Sequence, residues 1–199
     1  MAELVEQGDG VWTVQDLLSE EECRQWIERT EAMGYGDAPV TTPAGPVMAK
    51  EVRNNDRVMF DDAEVAGALW ERLEPFVPRR HPRLIGDAVG LNERFRFYRY
   101  QPGQRFAWHR DGYFARPDGS ETSRLTFMVY LNDGFVGGRT ELTTDRDVVI
   151  EPRTGTALLF LHGLLHQGAA VTEGRKYVLR SDVMYGLSRS RGRGPDASS

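Results

Sequence analysis

The stretch Arg94-Phe-Arg-Phe-Tyr-Arg-Tyr100 decides the fold class, because its side chains alternate in character with a period of two. Such alternation predicts a β-strand whose two faces meet different surroundings. More strand-like runs follow, separated by turn sequences such as Asn132-Asp-Gly134 and Pro152-Arg-Thr-Gly155. These runs are Arg124–Leu131, Thr140–Thr143, Val148–Glu151, Thr156–Leu161 and Lys176–Tyr185.

Helical patterns are confined to the N-terminal half. Ser19 and Glu22 form a capping-box pattern ahead of a helix that Gly34 can close. A second amphipathic helix is predicted over residues 62–74, and residues 35–50, rich in Gly and Pro, predict an irregular loop that is either a lid or a connector. Helices followed by many short strands predict an α+β, mainly β fold, with the N-terminal helices packed on one sheet of a sandwich or jelly roll.

The length of 199 residues suits a single domain. We expect that domain over residues 1–187, with a helical part at about 1–90 and a jelly-roll core at about 91–187. Residues 188–199, rich in Ser, Arg and Gly, predict a disordered tail.

Composition narrows the classes of function. The net charge of −5 and the pI near 5.5 argue against a nucleic-acid partner. The single cysteine, Cys23, excludes a disulfide framework and a thiolate-rich zinc site. No signal sequence or long apolar run is visible, so we expect no membrane partner and a cytoplasmic location.

A candidate metal site is the most specific chemical signal. His109 and Asp111 are two residues apart, so in an extended strand both side chains point to one face. His166 follows the apolar run at residues 157–161, which could form one wall of a cavity. Two imidazoles and one carboxylate leave the opposite side of a divalent ion open, an arrangement that suits non-haem Fe(II) and its oxygen chemistry.

Two alternatives use the same residues differently. His162 and His166 have the four-residue spacing of a helical zinc pair, which would indicate a zinc-dependent hydrolase, although Gly163 interrupts the segment and no Glu lies between them. A cupin-like metal-binding or sensing domain without turnover would also explain the three ligands. We interpret His81 as a solvated turn residue, His162 as structural and Trp108 as a core residue.

The pattern His109-x-Asp111, His166 and Lys176 resembles the signature of the Fe(II)- and 2-oxoglutarate-dependent dioxygenases. The nearest branch is the prolyl 4-hydroxylase-like one, in which a lysine ten residues beyond the distal histidine holds the far carboxylate of 2-oxoglutarate. Lys176 has that offset in a chain with only two lysines. The resemblance covers roughly residues 91–185, including the strand over residues 125–132.

By this resemblance the fold is a double-stranded β-helix that binds Fe(II), 2-oxoglutarate and O2. The enzyme would hydroxylate an unactivated C–H bond and release succinate and CO2. A peptidyl proline is the leading substrate, and a free amino acid or other small molecule is the second. The implied metal ligands are His109, Asp111 and His166, and the implied cosubstrate residues are Lys176, Tyr100 and Tyr130.

Other polar residues are candidates for cosubstrate or substrate contacts. Arg180 shares a strand face with Lys176 by parity, so it is an alternative anchor or a substrate contact. Arg96 and Tyr98 share one face of the first strand, while Asn55 and Arg57 could lie at the mouth of the cavity. If these residues line the site, an anionic or hydrogen-bonding substrate is favoured.

Overall fold

Two antiparallel β-sheets contribute the residues of the candidate site. In the computed structural model, residues 2–42, 45–78 and 81–186 are described. The predicted tail at residues 188–199 lies outside them, and the domain bounds at residues 1–187 stay a prediction. The helices are α1 (Glu20–Met33) and α2 (Ala63–Leu73).

The strands outnumber the helices, as the alternating sequence predicts. Their bounds are β1 Leu4–Gly8, β2 Val11–Val14, β3 Gly36–Asp37, β4 Val40–Thr42, β5 Gly45–Val47, β6 Asp56–Asp61, β7 Asp87–Leu91, β8 Arg94–Tyr100, β9 Phe106–His109, β10 Glu121–Tyr130, β11 Val136–Gly137, β12 Thr140–Thr143, β13 Asp147–Ile150, β14 Ala157–Leu161, β15 Leu165–Gly168, β16 Val171–Glu173 and β17 Lys176–Gly186.

The large sheet has nine strands in the order β1-β2-β14-β10-β17-β8-β6-β3, with β7 also paired to β17. The small sheet has four strands in the order β13-β12-β15-β9. Apart from the consecutive pairs β1–β2 and β12–β13, neighbouring strands in these sheets are not consecutive in sequence, as in a double-stranded β-helix, and the predicted mainly β fold is confirmed. Two short pairs, β4 with β5 and β11 with β16, complete the strand pairing among the described residues.

Helix α1 packs on the outer face of the large sheet. Trp26 of α1 lies 5.2 Å from Phe97 of β8 between ring centroids, and Phe95 and Phe97 are fully buried. Because side chains alternate along a strand, Tyr98 and Tyr100 point to the opposite, inner face. The predicted placement of the helices on one sheet is therefore confirmed, and it leaves the inner face of β8 for the site.

Capping side chains fix where both helices begin. Ser19 and Glu22 form the predicted capping box at the N-terminus of α1. The Asp62 side chain accepts a hydrogen bond from the Val65 amide at the start of α2. These bonds satisfy amide groups that have no partner within the helix.

Two local interpretations of the sequence are wrong. The segment 35–50 is not simply irregular, because it contains β3 and the β4–β5 strand pair, although residues 43–44 are not among those described. His81 is not solvated: its Nε2 lies 2.9 Å from Asp9 Oδ1, and its ring packs edge-on against Trp12. No described helix combines the length and apolar character needed to cross a membrane.

Candidate active site

Three potential metal ligands converge at the edge of the small sheet. His166 of β15 lies directly opposite His109 of β9, and Asp111 follows β9 by two residues. The Asp111 amide donates to the carbonyl of His162 at 3.0 Å, which holds the chain after β9 in place. The Asp111 oxygens lie 3.6 Å from His109 Nε2 and 3.5 Å from His166 Nε2, and all three ligand atoms lie within 4.8 Å of one another.

Backbone carbonyls orient both imidazoles for metal binding. His109 Nδ1 lies 2.7 Å from the Ala107 carbonyl, and His166 Nδ1 lies 3.0 Å from the Leu164 carbonyl. A carbonyl only accepts, so each Nδ1 carries the hydrogen and each neutral ring has its lone pair on Nε2. Burial lowers the pKa of His166 to about 4, so this ring is neutral at pH 7. The buried Nε2 of His109 has no hydrogen-bond partner among the described residues, as expected of a metal ligand.

The neighbours of Asp111 keep its carboxylate charged and fixed in position. Burial raises its pKa, but the Arg180 guanidinium, 2.8 Å away, together with His109 and His166, outweighs this effect and holds the pKa well below its ordinary value. The Thr126 hydroxyl donates to Asp111 Oδ2 at 2.6 Å. The donor set is thus two neutral imidazoles and one carboxylate, the set that suits Fe(II) with open coordination positions.

A narrow cavity, of about 30 Å³, leads from this triad toward Lys176. The Lys176 side chain is fully buried between the large and small sheets, and its amine donates to the carbonyl of Gly138. Burial lowers the pKa of Lys176 to about 7. The residues lining the narrow cavity include Tyr98, Tyr100, Phe106, His109, Asp111, Met128, Thr140, His166, Lys176, Val178 and Arg180.

Aromatic rings surround the lysine amine. Lys176 Nζ lies 5.3 Å from the ring centroid of Tyr100 and 5.4 Å from that of Tyr130. The Tyr130 hydroxyl donates to Thr140 Oγ1 at 2.7 Å. Burial raises the pKa of both tyrosines, so both stay protonated and can donate hydrogen bonds to a carboxylate. The structure thus brings together the three residues predicted to hold 2-oxoglutarate, and that role stays a prediction.

A wide cavity, of about 310 Å³, opens on the other side of the triad. It shares Tyr98, Phe106, His109, Asp111 and Arg180 with the narrow cavity, so the candidate metal site lies where the two meet. Arg57 and Arg96, two candidates for substrate contacts, line the wide cavity, and their role stays a prediction. Arg180 bonds to Asp111 at this junction and is not at the lysine end, which favours Lys176 as the anchor.

The wide cavity has a positive electrostatic environment. Burial alone raises the pKa of Tyr98, but the guanidinium groups of Arg53, Arg180 and Arg96 outweigh it and lower the pKa to about 8. Asn55 does not line this cavity; its Oδ1 accepts from Arg53 Nε at 3.0 Å and thereby orients that guanidinium. The predicted substrate role of Asn55 is therefore at most indirect.

His162 belongs to a hydrogen-bond network behind Asp111. Its Nδ1 lies 2.9 Å from Thr126 Oγ1, and its Nε2 lies 2.8 Å from Ser123 Oγ. Both ring nitrogens are occupied, and the cluster of potential metal ligands in the described chain is His109, Asp111 and His166. This geometry supports a structural His162 and argues against the zinc-hydrolase alternative.

Sequence reasoning missed several residues of the site. Thr126 was not selected, because a threonine in an apolar strand gives no chemical signal. The Trp108 interpretation is wrong: its side chain is 44% exposed, because β9 is an edge strand and its outward face meets solvent. Asp182, which lies 3.6 Å from Arg96, was also missed, although its position two residues after Arg180 places it on the same face.

Comparisons with known proteins agree with this geometry. The model of the 2OG-Fe(II) oxygenase superfamily matches residues 95–181, which include all three candidate ligands and Lys176. The resemblance predicted from the sequence is confirmed. The family implies Fe(II), 2-oxoglutarate and O2 as cofactor and cosubstrates. Among curated proteins, no sequence matches this chain.

Solved structures share the fold at low sequence identity. A viral collagen prolyl hydroxylase from Paramecium Bursaria Chlorella virus-1, in complex with 2OG, has 23% identity and a TM-score of 0.62, covering 89% of this chain and 97% of that one. A Pseudomonas putida prolyl-4-hydroxylase has 17% identity and a TM-score of 0.63, with coverages of 88% and 92%. A Trichoplax adhaerens prolyl hydroxylase, in complex with a hypoxia inducible factor peptide fragment, has 16% identity and a TM-score of 0.65, with coverages of 88% and 83%.

Proposed function

We propose that this chain, which matches the 2OG-Fe(II) oxygenase superfamily over residues 95–181, is an Fe(II)- and 2-oxoglutarate-dependent hydroxylase of the prolyl 4-hydroxylase-like type. One observation carries the proposal. The His109, Asp111 and His166 triad lies at the junction of two cavities, one ending at a buried lysine and the other wide enough for a substrate.

His109, Asp111 and His166 would hold Fe(II) through the two Nε2 atoms and a carboxylate oxygen. Bound Fe(II) supplies the redox chemistry: 2-oxoglutarate and O2 give succinate and CO2, with one oxygen atom entering succinate and the other the C–H bond of the substrate. The protein contributes ligation and orientation. Thr126 and Arg180 fix the Asp111 carboxylate, and the two backbone carbonyls fix the tautomers of the imidazoles.

Lys176 would bind the far carboxylate of 2-oxoglutarate. A buried carboxylate needs a cation or strong donors, because desolvation otherwise disfavours its charge. The amine, held at the Gly138 carbonyl, would exchange that contact for the carboxylate, while Tyr100 and Tyr130 exclude water around it. Gly138 has a φ of +68°, and an added Cβ would lie 3.2 Å from Lys176 Cδ, so glycine keeps this wall close to the lysine.

Peptidyl proline is the first candidate substrate, because the similar structures include prolyl hydroxylases and one of them binds a peptide fragment. A free amino acid or other small molecule is the second. A metal-binding or sensing domain without turnover is the alternative function, and it would keep the same triad but release no succinate.

Succinate release from 2-oxoglutarate, measured with added Fe(II) in air, tests the proposal. We expect release by the wild-type protein, loss of at least about 100-fold in Asp111→Ala, and none under strict anaerobiosis. Asp147→Ala is the matched control, since Asp147 is exposed on β13 of the same small sheet. Metal binding without succinate release would favour the sensing domain, and anaerobic hydrolytic activity would favour the zinc hydrolase.

A further inference from the structure

The inner face of the large sheet carries an arginine cluster, defined here as Arg53, Arg57 and Arg96. The register of three neighbouring strands brings these arginines together: Arg57 of β6 pairs with Tyr98 of β8, and Arg96 of β8 pairs with Arg180 of β17. Arg53, just before β6, lies over the rings of Tyr98 and Phe106 at 4.4 and 4.5 Å from their centroids. All three arginines line the wide cavity.

Two members of the cluster have buried N–H donors that make no hydrogen bond to any described residue. Arg53 is only 5% exposed; its Nε donates to Asn55, but its Nη2 makes no hydrogen bond among the described residues. Arg96 Nη1 is also buried without a hydrogen bond, since the nearest carboxylate oxygen, of Asp182, is 3.6 Å away. A buried charged donor that lacks a hydrogen bond is costly, so its retention beside a cavity indicates a ligand that accepts from it.

The charges around the wide cavity do not balance. Five arginines line it against two aspartates, although the whole chain has a net charge of −5. Asp111 already bonds to Arg180 and belongs to the candidate metal site, and Asp182 forms an ion pair with Arg96 at 3.6 Å. Burial lowers the pKa of Arg57, and the like charges of Arg53 and Arg96 add to this effect. Each aspartate thus pairs with one arginine, and the other three arginines of the cavity have no carboxylate partner among the described residues.

We infer that the arginine cluster binds a compact anionic group of the substrate, a carboxylate or a phosphate, and that the substrate is a small acid and not an internal peptidyl proline. This inference rests on the proposed function and chooses between its two substrate classes. An internal prolyl residue brings no charge into the cavity, whereas a carboxylate or phosphate pairs with guanidinium groups in bidentate geometry. The cavity volume of about 310 Å³ suits a small molecule.

Binding calorimetry on the anaerobic Fe(II)-loaded protein, saturated with 2-oxoglutarate, tests the inference without turnover. The matched probes are N-acetyl-L-proline and N-acetyl-L-prolinamide, which differ only in a carboxylate and a neutral amide, together with inorganic phosphate. We expect at least one of the two anions to bind about tenfold or more tightly than the amide, as one good charged contact implies. The tighter of the two anions identifies carboxylate or phosphate as the group recognised.

Arg57→Gln and Arg96→Gln should each weaken anion binding about tenfold and leave amide binding unchanged. Arg57 is half-buried, so its replacement spares the core. Arg94→Gln is the control, because Arg94 lies on β8 two residues from Arg96 but is exposed and paired with Asp61. It should change neither measurement.

Two outcomes would overturn the inference: neither anion binding more tightly than the amide, or displacement of the bound anion by further 2-oxoglutarate. The last result would assign the cluster to the cosubstrate. Failure of the proposed function is a separate result, because it appears as a lack of succinate release by the wild-type protein in air. The calorimetric comparison needs no turnover and remains decisive in either case.

Discussion

The two cavities beside the triad differ in the number of positively charged side chains that line them, although strands β8 and β17 form walls of both. The narrow cavity holds a single cation, Lys176, whose pKa falls to about 7 because burial disfavours its charge. The wide cavity crowds arginines together, and they lower the pKa of Tyr98 to about 8. Tyr100, two residues away on the same strand face, has its pKa raised by burial.

This contrast indicates two kinds of ligand. The single buried amine of Lys176, surrounded by tyrosines, suits one constant ligand such as 2-oxoglutarate. The negative charge of that ligand would favour the protonated amine. An array of permanently charged guanidinium groups suits an anion that varies in position with the substrate. Lys176 lines only the narrow cavity, whereas Arg57 and Arg96 line only the wide one. Variants of these residues in one cavity should therefore leave ligand binding in the other cavity largely intact.

The largest expected effect is the loss of 2-oxoglutarate binding when the charge of Lys176 is removed. Lys176→Met should weaken 2-oxoglutarate binding about 100-fold, since a buried carboxylate loses its cation at a cost of about 2.7 kcal/mol. Lys176→Arg is the matched variant and should recover most of the affinity. The measurement is anaerobic calorimetry with Fe(II), and an unchanged affinity in Lys176→Met would move the anchor to Arg180.

The affinity for 2-oxoglutarate should depend on pH because Lys176 is the cation of the narrow cavity. Because the pKa of Lys176 is lowered to about 7, the amine is charged below pH 7 and loses its proton above it. Affinity should therefore be greatest below pH 7 and fall by up to about tenfold per pH unit above it. Lys176→Arg stays charged, so its profile should be flatter. Identical profiles for the two proteins between pH 6 and 8.5 would contradict the assignment.

A smaller effect is expected from the network behind the triad. Thr126→Val removes the hydroxyl that donates to Asp111 Oδ2 and should weaken metal binding about tenfold. Thr122→Val, on the same strand β10, is the control. The measurement is competition for Fe(II) with a chelator of known affinity. A loss of 2-oxoglutarate affinity without a loss of metal affinity would show that Thr126 acts on the narrow cavity instead.

The smallest effect should come from a residue outside both cavities. Ser19→Ala removes the capping box of α1 and should lower the free energy of unfolding by about 1 kcal/mol. Neither 2-oxoglutarate binding nor anion binding should change, because α1 packs on the outer face of the large sheet. Chemical denaturation measures the stability change, and altered ligand affinity in this variant would mean that the cavities depend on helix packing.

The candidate site was predictable from the sequence where its residues lie only a few positions apart along the chain. His109 ends β9 and Asp111 follows two residues later, so their short spacing was enough to predict that they lie together. Lys176 and Arg180 lie four residues apart on β17, so strand parity places them on one face. His81 and Trp108 were misjudged because their surroundings are tertiary: Asp9 and Trp12 cover the first, while an edge strand exposes the second. No pattern along the chain carries that information.

Periodicity, spacing and resemblance along the chain were enough to predict the β-rich class, the two helices, the candidate metal ligands and Lys176 at the far end of the narrow cavity. Which charges share a cavity depends on the folded chain. Arg57, Arg96 and Arg180 lie on three strands whose antiparallel register brings them side by side. Register depends on long-range pairing, so the positive wide cavity in an acidic chain emerges only when the sheet forms.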